Sequence, residues 1–487
     1  MADVKCNQPV HVQNAFANYC GTGRDGLTVV SRRGMLKAGF AGVAGLSLPE
    51  VLRARALASQ TRQRYAGAKS VILLWMTGGP SHIDTWDPKP DRPLQNRGPF
   101  GVTGTKLPGT FICEHLPKQA AMLDKFTIIR SVDARNSNHE PNKVFQTGNV
   151  AAEARTNMEA GRYPAIASVV AKHHGANHPS MPAYVAFMKS AGHIGFAGYL
   201  GKQYDPFIAE QAARLPVYTN VGVDTGETTR GNLFQLPGGL DLERLNDRQR
   251  LLQDFDRLRA DLDLSGSMDA LNAYQRQAVE MVLGRRAQAA FDLSQEPATV
   301  RDRFGKHLWC QQALLARRLV EAGVAFVTLD LSHHAASGTW DTHGDNIPPY
   351  GGITRGLGPL LPVFDHLIST LVSDLEERGL LDQTLVIAMG EFGRTPNMGS
   401  QGSTDGRDHW PVCMSMALAG GGLRHGQVIG ATERDGSQIK HRPVTPGDLA
   451  ATIYRYMGVP LDTTYLDNQG RPRRVVENDG QPIHELF

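Results

Sequence analysis

Short, unbroken apolar runs recur along the chain, at residues 70–76, 126–130, 183–188, 324–331, 384–389 and 414–419. Each has strand length and is rich in aliphatic, β-branched or aromatic residues, so each is predicted to be a strand. Alternating polarity would mean one wet face. Continuous apolarity predicts a sheet covered on both faces. The intervening segments carry a helical period. Leu361, Phe364, Leu367, Ile368, Leu371 and Leu375 place one apolar stripe on a helix that should end at Gly379. Residues 307–322 predict another, stopped by Gly323. Thr445-Pro446-Gly447-Asp448 has the makings of an N-cap, a proline in the first turn and a capping acid, for a helix ending near Gly458. Strands alternating with helices predict an α/β fold: a doubly wound, mostly parallel sheet with helices on both faces.

Two stretches break this rhythm. Residues 163–239 are rich in Gly, Pro, His and aromatics and read as long loops. Residues 240–300 begin with a run dense in Arg, Asp, Leu and Gln and read as a helical insertion whose charges form solvated faces. No internal repeat is visible.

Charge adds a boundary. The 487 residues hold 51 Lys and Arg against 48 Asp and Glu, a net +3 that is too small to argue for a nucleic-acid partner. The first 58 residues carry seven basic and three acidic side chains, so the excess lies there. Ser31-Arg32-Arg33-Gly34-Met35-Leu36-Lys37 resembles a twin-arginine export motif. A mild Gly/Ala-rich apolar run follows to Leu48, and then Ala56-Leu57-Ala58, a small-x-small cleavage pattern. The expectation is a signal segment at 1–58, a main domain at 59–487, passage through the twin-arginine machinery, and a periplasmic or extracellular location. The apolar run is too short for a stable membrane anchor. Cys113, Cys310 and Cys413 would remain in the mature chain, too few for a disulfide framework; Cys310 and Cys413 lie in apolar runs and are expected to be buried free thiols.

In open parallel sheets, ligands collect beyond the carboxyl ends of the strands. The residues there are unusually chemical. His82 and Asp84 follow the first strand. Ser137 and His139 follow the second. Asp341 and His343 follow the fourth, Glu391 and Arg394 the fifth, and Asp408 and His409 precede the sixth. Mixed imidazole and carboxylate donors suit zinc, manganese or iron, and with fewer imidazoles magnesium or calcium. The expected metal ligands are Asp84, His82, Asp341, His343, Glu391, Asp408 and His409, holding one or two divalent cations. Arg394 is expected to offer a fork to an anionic substrate.

Several of these residues sit in a recognisable order: Gly78-Gly79-Pro80-Ser81-His82, Asp87-Pro88-Lys89-Pro90, Ala316-Arg317-Arg318-Leu319, Trp340-Asp341-Thr342-His343, Gly390-Glu391-Phe392-Gly393-Arg394-Thr395-Pro396 and Gly406-Arg407-Asp408-His409-Trp410-Pro411. This series resembles the secreted family called domain of unknown function 1501, which is similar to the alkaline phosphatase and sulfatase superfamily. The resemblance implies that fold and a metal site in which Asp341, His343 and His409 match ligand positions. It also exposes departures. The superfamily's Asp-His metal pair is Glu391-Phe392 here. Thr147-Gly148 resembles the end of the helix that follows the sulfatase nucleophile, but the nucleophile position falls on Asn138, and no Cys/Ser-x-Pro-x-Arg motif occurs. Formylglycine chemistry is therefore not expected. Ser137 and His139 flank the position, and His139 is expected to attack, to ligate metal or to position a water.

The sequence therefore points to an exported metal-dependent hydrolase of phosphate or sulfate esters acting on a small-molecule or glycan ester. The alternative is a non-catalytic surface protein that binds an anionic glycan or a protein partner. A redox enzyme is disfavoured: no G-x-G-x-x-G follows a strand and no cysteine cluster is present.

Overall fold

The computed structural model describes residues 68–139, 143–188, 190–218, 224–231, 285–332, 339–346, 351–477 and 479–487. The expected signal segment and most of the expected helical insertion lie outside these residues.

Eight strands form the central sheet: β1 (Ser70–Trp75), β2 (Phe126–Val132), β3 (Tyr184–Phe187), β4 (Phe207–Ile208), β5 (Phe326–Asp330), β6 (Thr384–Met389), β7 (Met414–Gly420) and β8 (Gln427–Ile429), in the order β8-β2-β7-β6-β1-β5-β3-β4. All six runs expected as strands are strands. β1 pairs in parallel with β6 and β5, and β5 with β3, whereas β7 runs antiparallel to both β6 and β2. The sheet is thus mostly parallel, with one reversed strand.

The unbroken apolarity has the expected cause. Ile72 and Leu74 of β1 pack into one core layer and Val71, Leu73 and Trp75 into the opposite one. Helices α2 (Leu308–Ala322) and α3 (Gly358–Glu377) fill the first layer, and α1 (Ile166–His173) and α4 (Pro446–Met457) the second. Both strand faces therefore leave water, each buried Leu or Ile contributing roughly 1.5–3 kcal/mol.

The helix boundaries follow local chemistry. His307 caps α2 by accepting the Trp309 N–H, and Gly323 ends it in the left-handed conformation. At α4 the Thr445 hydroxyl accepts the Asp448 N–H at 3.1 Å, and the Asp448 carboxylate accepts the Thr445 N–H at 2.8 Å, a complete capping box. The segment Gly352–Glu377 is long and apolar enough by composition to cross a membrane, but most of it is buried inside this fold. Cys113, Cys310 and Cys413 are buried free thiols.

The stretch from 163 is more regular than its composition implied. Beside the expected strand β3 it supplies α1, whose Ile166, Ala167, Val169 and Val170 are buried against the sheet, and β4. Flanking Gly, Pro and His diluted an eight-residue helical pattern that tertiary burial stabilises.

Candidate metal centre

The parallel strands end on one edge of the sheet. Because β7 is reversed, its beginning meets that same edge, which brings the residues just before it to the ends of β1, β2, β5 and β6. Trp340 is wholly buried. Its backbone N–H donates to the Thr77 carbonyl at 3.1 Å, its indole N–H donates to the Leu331 carbonyl at 3.1 Å, and its ring stacks on Trp309. That anchor fixes Asp341. Gly393 and Arg394 pair antiparallel with Trp410 and His409. The Arg407 N–H donates to the Thr342 carbonyl at 2.7 Å, which carries Asp408 and His409 to Asp341 and His343. The approach requires a glycine at 406, where a Cβ would collide with the His343 carbonyl oxygen.

The result is a compact donor group. His139, Asp341, His343 and His409 each present one possible ligand atom, all within 4.8 Å of one another. His139 Nε2 lies 3.3 Å from Asp341 Oδ2, and its Nδ1 lies 3.2 Å from Glu391 Oε1. Asp341 Oδ1 accepts the His343 backbone N–H at 3.1 Å, touches His343 Nδ1, and pairs with Arg394 Nη2 at 3.0 Å. The His409 ring stands edge-on to His139, with centroids 4.2 Å apart.

The electrostatics suit a cation. Burial opposes the charge on Asp341, but Arg394 and the histidines outweigh it and hold the carboxyl far below its ordinary range. Burial and then Arg394 push His409 down to about 2, leaving a neutral imidazole with a free lone pair. Burial works against the His139 imidazolium, yet Asp341 and Glu391 together raise its pKa. Within the group, His139 Nε2 and Asp341 Oδ2 are buried and meet only each other, at 3.3 Å and outside hydrogen-bond geometry, and His409 Nε2 is buried with no hydrogen-bond partner among the described residues. Buried polar atoms are ordinarily satisfied. Three shielded, unsatisfied donor atoms on a deprotonated Asp and two histidines, with a third histidine alongside, fit a divalent metal.

Other candidate residues go elsewhere. Asp84 is not in the group: it is locked to Arg407 Nε at 2.7 Å and to the Ser81 hydroxyl at 2.5 Å, with both charged side chains wholly buried. His82 is also separate, its Nε2 2.9 Å from the Gly436 carbonyl oxygen and 3.7 Å from Cys413 Sγ. Ser137 is buried, and its hydroxyl has no hydrogen-bond partner among the described residues. Arg394 does not present a fork to solvent. It is wholly buried and donates to the carbonyls of Gly78, Gly79 and Arg407 as well as to Asp341, because it must satisfy the turn it braces. Asp408 stands at the mouth, half exposed, with Oδ1 3.2 Å from His343 Nε2. Arg407 had no role in the sequence reading. Its signal was its place in Gly406-Arg407-Asp408-His409, and its role, as the partner of Asp84, is visible only in three dimensions.

A family model described as "Protein of unknown function (DUF1501)" matches residues 68–487. No curated protein matches the sequence. Among solved structures, the chain is similar to the PsFucS1 sulfatase from Pseudoalteromonas sp., with 12% identity, 84% of this chain and 72% of that chain covered, and a TM-score of 0.35. It is also similar to the phosphonate monoester hydrolase SpPMH from Silicibacter pomeroyi (14% identity, 76% and 71% covered, TM-score 0.31) and to the phosphonate monoester hydrolase of Agrobacterium radiobacter (12%, 86% and 77%, TM-score 0.34). At these scores the overlaps carry no argument about activity.

Proposed function

We propose that this chain, which belongs to the DUF1501 family, is a metal-dependent hydrolase of phosphate or sulfate esters. The observation that carries the reading is the group of His139, Asp341, His343 and His409, with donor atoms within 4.8 Å and three of those residues holding unsatisfied buried atoms. Three imidazoles and one carboxylate suit zinc or manganese better than the oxygen-seeking magnesium or calcium. When bound, such a cation supplies a Lewis acid for an ester oxygen and lowers the pKa of water.

The chain's own residues supply the rest. Arg394 keeps Asp341 ionised without competing for its Oδ2. Burial keeps His409 neutral. Asp408, at the mouth beside His343, is placed to take a proton from an attacking water or return one to the leaving oxygen. Asn138 stands where sulfatases carry a nucleophile, and its side-chain oxygen accepts the His139 N–H at 2.9 Å. Both His139 ring nitrogens face carboxylates, so His139 reads as a ligand rather than an attacking group. Water is the nucleophile in this reading, and formylglycine is not needed.

Elemental analysis of the purified chain, followed by aryl phosphate, phosphodiester and sulfate esters with and without chelator, tests the proposal. Bound zinc or manganese and chelator-sensitive turnover are expected. Full activity in metal-free protein would overturn it. Tight metal binding with no turnover of any ester would favour a protein that binds an anionic glycan instead. Export by the twin-arginine route is proposed from Arg32 and Arg33. Replacing both with Lys should hold the protein in the cytoplasm on cell fractionation, and unchanged export would refute that route.

A further inference from the structure

Glu391 stands where the superfamily resemblance places a metal ligand, and its Oε2 is buried without a hydrogen-bond partner among the described residues, but its other oxygen is committed away from the donor group. It is not a member of the tight donor group. Its Oε1 accepts the Gly78 N–H at 2.8 Å and lies 3.2 Å from His139 Nδ1. Nε2, the opposite nitrogen of the same ring, faces Asp341 at 3.3 Å. The ring itself is boxed in by Phe392, with centroids 4.8 Å apart, and by the edge-on His409. Phe392 reaches that position only because residue 79 is glycine at φ +78°, since a Cβ there would lie 2.5 Å from the Phe392 ring. Gly78, Gly79, Glu391 and Phe392 thus form a cradle whose one polar contact with His139 is made through Nδ1.

An imidazole that gives its lone pair to a cation through one nitrogen carries its proton on the other. A carboxylate accepting a hydrogen bond from that N–H fixes the tautomer, the ring plane and the basicity of the ligating nitrogen. On the metal reading above, we propose that Glu391 is a positioning residue. It holds the proton on His139 Nδ1, aims Nε2 into the donor group, and acts on the metal only through His139. The Gly78 N–H keeps the carboxylate in place by occupying the same oxygen.

The test is a double-mutant cycle on zinc affinity, measured on the full chain by competition with a chelating dye. Glu391→Gln should weaken zinc binding about 10–100-fold, and His139→Ala should weaken it more. The double variant should bind as His139→Ala does. In zinc-loaded protein labelled with 15N at histidine, His139 should show a protonated Nδ1 and a ligating Nε2 in the wild type, and lose that preference in Glu391→Gln. Melting of the metal-free variants separates misfolding from the effect sought; should Glu391→Gln not fold, the NMR tautomer in the wild type decides alone. Equal zinc affinity in wild type and Glu391→Gln would overturn this inference alone. So would losses that add in the double variant, since Glu391 would then bind metal itself, and so would a wild-type His139 protonated at Nε2. A wild-type chain that takes up no zinc would overturn the metal reading and this inference with it.

Discussion

Two buried aspartate–arginine pairs sit next to each other at the carboxyl edge of the sheet, and they do opposite things. Asp84 meets Arg407 at 2.7 Å, and Arg407 spends its remaining donors on the carbonyls of Asn96, Thr395 and Pro396. Ser81 occupies the carboxylate from the other side. Asp341 meets Arg394 at 3.0 Å, and Arg394 likewise turns to backbone carbonyls, one of them that of Arg407. But Asp341 keeps one oxygen shielded from water and without a hydrogen bond among the described residues, 3.3 Å from a His139 nitrogen in the same state, with the His409 nitrogen also unbonded in the group. In sequence both were an Asp with a His nearby, beyond a strand. The difference is closure. The first pair has used all its hydrogen-bonding capacity and ties the loop after β1 to the strand ribbon before β7. The second has capacity left over, and an arginine that maintains the charge on the oxygen left free.

The largest test of this division is to remove each acid. Asp84→Ala and Asp341→Ala each strand a buried guanidinium, which should cost about 3–5 kcal/mol in metal-free protein. Both variants should therefore melt early by calorimetry. Only Asp341→Ala should lose zinc. A folded Asp84→Ala chain that no longer takes up metal would erase the distinction. The next effect is smaller and comes from the ligand. Zinc at a hundred times its dissociation constant should stabilise the wild type by about 2.7 kcal/mol. His409→Ala should show little of that gain at the same zinc concentration, while its metal-free stability stays within about 1 kcal/mol, because His409 is neutral and only partly buried. A full zinc-induced shift in His409→Ala would remove it from the donor group.

The same contrast explains what sequence could reveal. Strands, helix caps and sheet polarity were legible because they depend on local pattern: six continuous apolar runs, Thr445 with Asp448, Gly323 closing α2. His139, Asp341, His343 and His409 were legible too, since the edge of a parallel sheet gathers whatever follows its strands. Sequence could not separate Asp84 from Asp341, because the separation depends on which acid meets a partner that leaves nothing over. It misjudged Arg394 for the same reason. An arginine in a turn after a strand looks like an anion fork until the carbonyls of Gly78 and Gly79 are seen to claim it.

A third acid completes the comparison. Glu210 has no arginine paired with it among the described residues. Its Oε1 accepts the Met188 N–H, its Oε2 is shielded with no hydrogen-bond partner among the described residues, and Asp330 adds a like charge nearby. Burial first, and then Asp330, raise its carboxyl to about 8. If closure by a cation is what makes a buried charge tolerable here, Glu210 should be neutral in the fold and charged when unfolded. The sign follows from where the proton sits. Below the ordinary carboxylate range both states hold it, and folding is indifferent. Between that range and pH 8 only the folded state holds it, so stability falls as pH rises, and above pH 8 the loss levels off. Glu210→Gln keeps the shape without the proton and should flatten the decline. Its stability should match that of the wild type near pH 4 and exceed it at pH 8, by about 1–2 kcal/mol once relaxation of the buried group toward water is allowed for. Thermal melts of both chains across that range read the difference. A Glu210→Gln chain less stable than the wild type at pH 8 would mean that Glu210 is ionised and paired after all, and the rule drawn from Asp84 and Asp341 would not extend to this part of the sheet edge.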